Sequence, residues 1–151
     1  MPDVFPEPLT YRYPEWVQIG EYFLRSHDVV AFGTPLTPAN VVEAYEKGIF
    51  PWYTDGIPLP WHCPERRAIL EFHRLKIPRS LEKERRKVHL TFTIDKAFDA
   101  VILECSRAYR PGQFGTWITP EFREVYTQLN DEGVAHSVEA WGPDGDLVGG
   151  L

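Results

Sequence analysis

Apolar and polar positions alternate at two periods along this chain, and the period of each stretch predicts an element. Over Pro38–Lys47 the apolar residues Val41, Val42 and Tyr45 fall on one helical face, with Glu43, Glu46 and Lys47 outside it. Thr37 precedes Pro38, placing a capping hydroxyl before a proline whose missing N–H costs nothing at the first helical position. Gly48 stops this helix, and Pro51 forbids its renewal. Helical spacing is also expected over Pro14–Leu24, where Trp16, Ile19, Tyr22 and Phe23 share a face. A third helix runs from a cap at Asp95 to about Arg107, burying Phe98, Val101, Ile102 and Cys105. A fourth starts at Thr119-Pro120 and ends near Glu132, before Gly133. Pro78 opens a short charged helix. Strand patterns cover Arg67–Phe72, Val88–Ile94 and Ala135–Trp141, the last turning at Gly142–Asp146 into a return strand at Leu147-Val148. Asp28–Gly33 reads as a short apolar strand or turn, Thr54–Pro60 as a turn, and Met1–Tyr13, with Pro2, Pro6 and Pro8, as an irregular arm.

The aromatic corner Gly48-Ile49-Phe50-Pro51-Trp52-Tyr53 stands out against this pattern. Side chains alternate on an extended chain, so Phe50, Trp52 and Tyr53 cannot all point one way, and Trp52 is the candidate to face a cleft. A core tryptophan packed beneath the corner is the other reading. Trp117 likewise leaves a loop, Tyr109–Gly115, that contains Pro111-Gly112.

Charge changes the picture further. The net charge is −6, yet Arg66–Lys87 alone carries +6, with nine Lys or Arg against Glu71, Glu82 and Glu84. Such asymmetry favours a polyanion held at one place by an otherwise acidic molecule. Arg79, Lys83, Arg86 and Lys87 share a helical face and can be presented together; alternatively, Glu82 and Glu84 make this a solvated, salt-bridged helix. The same composition shift puts a domain boundary near Glu65, giving an α+β chain with a small domain over residues 1–65 and a second over 66–151. No signal-peptide pattern, long apolar run or ligand-like cysteine spacing is present, so the expectation is a cytoplasmic protein with reduced thiols, no metal and no membrane partner. Cys63 and Cys105 lack a cationic neighbourhood in the sequence, and nucleophilic chemistry is disfavoured. His62 reads as a surface or packing residue. His136 and Glu139 face opposite sides of an alternating strand, cannot act as one pair, and His136 is read as structural.

Taken in order, Gly48–Trp52, Pro64–Leu70, Ile77-Pro78-Arg79-Ser80-Leu81, Gly115–Thr119, Ala135–Glu139 and Leu147–Gly150 resemble the motifs of the leucyl/phenylalanyl-tRNA–protein transferase family. The resemblance covers roughly Val29 to Leu151 and is poor before Ser26. It implies a small N-terminal domain followed by the first part of a GNAT acetyltransferase-like domain. The activity implied is transfer of leucine or phenylalanine from aminoacyl-tRNA to proteins with N-terminal lysine or arginine, forming a degradation signal. No cofactor is implied, since the ester is already activated, and no DNA partner. By the same resemblance Trp52 and Trp117 hold the 3′-terminal adenosine, and Arg79, Lys83, Arg86 and Lys87 contact the tRNA. The family's chains continue past the position of Leu151, and its catalytic and amino-acid-pocket residues lie in that continuation. Catalytic residues are therefore unassigned here, with His136, Glu139 and Tyr109 the first to test. The chain alone is expected to be poorly soluble, oligomeric or inactive, with the Ala135–Leu151 hairpin uncovered. The alternative is a truncated, non-catalytic tRNA-binding module. A CoA-dependent acetyltransferase is rejected, because no glycine-rich pyrophosphate loop occurs before Leu151.

Overall fold

The computed structural model describes residues 4–12, 14–19, 21–25, 28–112 and 115–151. Parts of the expected arm and of the Tyr109–Gly115 loop therefore lie outside the described residues. The architecture is mixed helix and sheet, with three small antiparallel sheets and four helices among the described residues.

The first sheet corrects a prediction. In place of a helix over Pro14–Leu24, β1 (Trp16–Ile19) pairs with β2 (Tyr22–Arg25), Trp16 opposite Arg25 and Ile19 opposite Tyr22. The reason is visible in β1, where exposed Trp16 and Gln18 alternate with half-buried Val17 and Ile19. Aromatic and β-branched residues fit such a pleated, half-buried surface better than a helix.

The second sheet has the order β3-β5-β4, formed by Val29–Phe32, Pro60–His62 and Phe50–Pro51. Its central strand, β5, carries no alternating pattern, and the sequence predicts only the end of a turn there. Helix α1 (Pro38–Glu46) packs beside it, capped as expected by Thr37, whose side chain accepts from Asn40 N at 3.2 Å. Trp61 of β5 is wholly buried, lies tilted against Phe5 with ring centroids 4.6 Å apart, and donates Nε1–H to Thr34 O at 3.1 Å. Phe5 is brought there by α1's charged face. Glu43 Oε1 accepts from the N–H groups of Val4 and Phe5, both at 2.9 Å, and Lys47 Nζ donates to Phe5 O at 2.8 Å. Side chains predicted to lie outside the helix packing thus anchor the N-terminal arm.

No strand forms over Arg67–Phe72. The segment is irregular, closes in a single 3₁₀ turn at Phe72–Arg74, and leaves Ile69 81% and Phe72 83% exposed. Its apolar run has no strand partner, and α2 (Arg79–Lys87), which follows it, buries none of its residues.

The third sheet joins β6 (Thr91–Ile94), β7 (Val138–Trp141) and β8 (Leu147–Gly150) in that order, with Thr93 opposite Glu139 and Glu139 opposite Gly150. Helix α3 (Phe98–Arg107) lies against one face, so closely that a Cβ on Gly150 would meet Val101 Cγ2 at 2.8 Å. The other face leaves Phe92, Ile94 and Val138 exposed. Helix α4 (Pro120–Asp131), capped by Thr119 as expected, contributes Phe122, Val125 and Leu129 to a buried cluster shared with Val41, Ala44, Ile49 and Trp61.

Asp95 is a third correction. It does not cap α3, whose first turn follows Ala97 without a side-chain cap. Asp95 instead adopts φ +54°, and its carboxylate accepts from Ser137 N at 2.8 Å and lies 2.7 Å from His136 Nδ1. The N–H of Ala97 is answered by Glu139 Oε1 at 3.3 Å. A carboxylate distant in sequence has replaced the local cap.

Candidate functional site

The aromatic corner forms as the pattern requires. Gly48 takes φ +72°, and Ile49, fully buried, donates its N–H to Ala44 O at 2.7 Å. The chain then pairs through β4 and fixes Trp52 by an N–H bond to Pro60 O at 3.1 Å. Trp52 is 42% exposed, while Trp61 is the tryptophan in the core beneath it. Trp117 is set by the turn before α4, with Thr119 N donating to Trp117 O at 3.1 Å and Ile118 N to Thr116 Oγ1 at 3.1 Å.

These two tryptophans, 65 positions apart in the chain, meet. Their rings stack with centroids 5.1 Å apart and planes 25° from parallel. Trp117 stands edge-on to Phe122 at 5.5 Å, Phe122 stacks on Tyr126 at 6.2 Å, and the Tyr126 and Tyr45 hydroxyls are hydrogen-bonded. Burial pushes both phenols above their usual range, so the row remains uncharged at neutral pH. An open groove of about 630 Å³ is lined by Trp52–Asp55 and Gly115–Trp117. A separate, apolar cavity of about 330 Å³ lies between α3 and α4, lined by residues that include Val101, Cys105, Phe122 and Trp117. Trp117 belongs to both.

The basic helix presents its cations to solvent, but not all are unengaged. Glu82 pairs with Arg85 at 3.0 Å and with Arg86 at 3.3 Å, and Glu84 pairs with Lys87 at 2.7 Å. The bonds from Arg85, ahead of any other effect, hold the Glu82 carboxyl below its usual range. Arg79 and Lys83 make no ion pair among the described residues. Both sequence readings are thus present on one helix, with Arg79 and Lys83 open to an anion and Arg86 and Lys87 already paired.

His136 and Glu139 do not form a pair. His136 lines the apolar cavity and is held by Asp95, whose carboxyl is kept below its usual range by His136 first and then by Ser137 N–H. Glu139 is wholly buried and accepts from Ser137 Oγ and Thr93 Oγ1, while Trp141 Nε1 donates to Thr93 Oγ1 at 2.7 Å. Burial pushes the Glu139 carboxyl up, but the bonds from Ser137, Thr93 and the Ala97 and Lys96 amides outweigh it, leaving a net depression. Tyr109 is 87% exposed. His62 packs against Phe50 at 5.9 Å, and burial pushes its pKa down. Its Nε2 has no partner among the described residues.

Sequence reasoning missed Arg67. Its guanidinium donates to Gly48 O, lies 5.5 Å above the Phe50 ring, and approaches Cys63 Sγ at 3.5 Å. The sequence pattern predicts no cationic neighbour for Cys63; the fold supplies one. No group of three or more His, Cys, Asp or Glu able to hold a metal occurs among the described residues, and no helix there is long and apolar enough to cross a membrane.

Residues 69–151 match the profile of a family described as leucyl/phenylalanyl-tRNA protein transferase, and residues 34–65 match the profile of that family's N-terminal domain. Three relatives carry the name leucyl/phenylalanyl-tRNA–protein transferase. The one from Myxococcus xanthus is 49% identical over 123 residues, covering 82% of this chain and 52% of its own. That from Maridesulfovibrio salexigens is 45% identical over 123 residues, covering 82% and 51%. That from Azoarcus sp. is 43% identical over 138 residues, covering 91% and 58%. The chain spans about half the length of the curated relatives it matches.

Proposed function

Because the chain belongs to the leucyl/phenylalanyl-tRNA protein transferase family, we propose that it carries the aminoacyl-adenosine-binding part of an enzyme that moves leucine or phenylalanine from aminoacyl-tRNA to a protein's N-terminal lysine or arginine. The observation that carries this reading is the shared position of Trp117. It stacks on Trp52 at a solvent groove and also walls the apolar cavity. A terminal adenine and an apolar aminoacyl group are covalent neighbours on the substrate, so their two sites must adjoin.

At a centroid separation of 5.1 Å the indoles cannot admit a base between them, which needs about 7 Å, twice a stacking contact of ~3.5 Å. The adenine therefore stacks on the open face of Trp52, an unpaired base on an aromatic platform, worth about 1–3 kcal/mol. The cavity takes one side of the leucine or phenylalanine side chain, the rest of the pocket falling to the residues that the family resemblance puts past the position of Leu151. Arg79 and Lys83 meet phosphates directly, and Arg86 and Lys87 do so by exchanging Glu82 and Glu84 for the tRNA backbone. The reaction is aminolysis: the neutral α-amine forms a C–N bond at the ester carbonyl, the C–O bond to ribose breaks, and the amine's proton goes to the departing oxygen. The composition shift near Glu65 and the irregular course that follows support a small N-terminal unit ahead of a GNAT-like one.

Titrating a phenylalanyl-adenosine amide analogue against Trp52→Ala and Trp117→Ala tests the site. Affinity is expected to fall by about 5- to 100-fold in each, with the thermal unfolding midpoint nearly unchanged for the exposed Trp52. Unchanged affinity in both variants overturns the reading. Helix α2, which buries none of its residues and leaves Arg79 and Lys83 outside any ion pair among the described residues, favours a second reading, a tRNA-binding module without turnover. Transfer of labelled leucine to a peptide with N-terminal arginine separates the two, because only an enzyme forms product.

A further inference from the structure

We infer that Arg67 is a positioning residue that sets Trp52, and that it is not one of the phosphate contacts its place in the basic segment suggests. The inference rests on the reading of Trp52 as the adenine platform. Helix α1 ends without a basic residue in its last turn, and the Lys47 ammonium is turned away to Phe5, Glu43 and Glu7. Carbonyls of the last turn are taken by backbone donors, Ala44 O by the N–H groups of Lys47 and Ile49 and Tyr45 O by that of Gly48. Just past the turn, the carbonyl of Gly48 accepts from Arg67, 19 residues downstream. The same planar group covers the Phe50 ring and touches Cys63 Sγ, while Phe50 rests on His62. One guanidinium thus joins the helix end, the first residue of β4 and the exit of β5. These are the three points that fix where the next residues, Pro51 and Trp52, emerge.

Two features of the corner suit this role. Gly48 takes φ +72°, and a Cβ built there would meet the guanidinium at 3.7–3.9 Å, ordinary contact, so the flat group lies directly against this turn. A planar fork donates to a carbonyl in its own plane while laying a flat face on an aromatic ring; an ammonium can meet both groups only as a point charge, without the flat contact that fixes the ring's tilt.

The test uses the whole chain and three variants, Arg67→Ala, Arg67→Lys and Arg66→Ala, the last removing the same charge from an exposed neighbour. Stacked indoles give an exciton couplet in the circular dichroism spectrum, which reports the Trp52–Trp117 geometry without any ligand. Arg67→Ala and Arg67→Lys are expected to lose most of the couplet and to bind the phenylalanyl-adenosine amide analogue about tenfold more weakly. They should keep the wild-type salt slope for tRNA binding, and Arg66→Ala should keep couplet and analogue affinity alike. A full couplet in both Arg67 variants, or a salt slope lowered by about one phosphate in Arg67→Ala, overturns the inference. If Arg67→Ala does not fold, Arg67→Lys decides the matter by itself, since it keeps charge and stem. If wild type fails to bind the analogue, the adenine reading falls, while the couplet still decides what Arg67 holds.

Discussion

Glu139 is a carboxylate with no exposed surface, kept ionised by Ser137, Thr93 and the amides of Lys96 and Ala97. Its folded pKa lies below its unfolded one, so the stability it gives is complete above the unfolded value and is lost as pH falls through the folded value. Glu43, through Phe5 N–H, and Asp95, through His136, act in the same direction. The melting temperature is therefore expected to fall slightly below about pH 6.5, where the unfolded chain protonates His62 ahead of the folded one, and more steeply below about 4, the range where free carboxyls titrate. Glu139→Gln should melt lower at pH 7 and show a shallower acid limb; calorimetry across this range checks both. Gly48→Ala is expected to cost about 1–2 kcal/mol, because φ +72° crowds a Cβ against the backbone. Denaturant unfolding measures it.

At the scale of elements, α3 on β8 and the isolated α2 behave oppositely. Gly150→Ala forces a methyl group into Val101 at 2.8 Å and should destabilise the protein by about 1–3 kcal/mol. Gly149→Ala, whose Cβ would meet Ala140 at 3.8 Å, should be close to neutral by the same denaturant assay. Helix α2 buries nothing, so replacing Arg79, Lys83, Arg86 and Lys87 by glutamine should leave the melting temperature within a few degrees. The same variant is expected to flatten the salt dependence of tRNA binding, by about 0.7–0.9 in slope for each phosphate no longer neutralised, while the small analogue still binds. Arg79 and Lys83 alone should account for the first part of that change, because their partners are not already on the helix.

Across the whole molecule, one buried cluster draws Phe5, Val41 and Trp61 together with Phe122 and Leu129, so the arm, α1 and α4 share a core. The third sheet sits at its margin and shows water an apolar face made by Phe92, Ile94 and Val138. Exposed patches of this kind bind apolar dyes. The native protein is expected to enhance the fluorescence of anilinonaphthalene sulfonate. Phe92→Ser with Ile94→Ser should lower that signal without lowering stability, since both side chains are already more than half exposed.

The caps at Thr37 and Thr119, the stop at Gly48, the exposed basic helix and the two candidate tryptophans were all legible in the sequence, because each depends on neighbours within a turn or on the chemistry of a single residue type. Periodicity misled where two periods fit the same residues. Trp16, Ile19, Tyr22 and Phe23 can share a helical face, but strand pairing makes Val17 and Ile19 the inward set. Asp95 looks like a cap because the rule for caps is local, and a buried Glu139 answers the helix start from 42 residues away. β5 has no alternating pattern and exists because β3 and β4 flank it. Most of all, the residue pattern marks Trp52 and Trp117 singly, and the family resemblance puts both at one adenosine without saying that they touch. Their stacking, and the Arg67 clamp beneath one of them, arise from contacts between distant segments, and such contacts are decided by how the helices and sheets pack together.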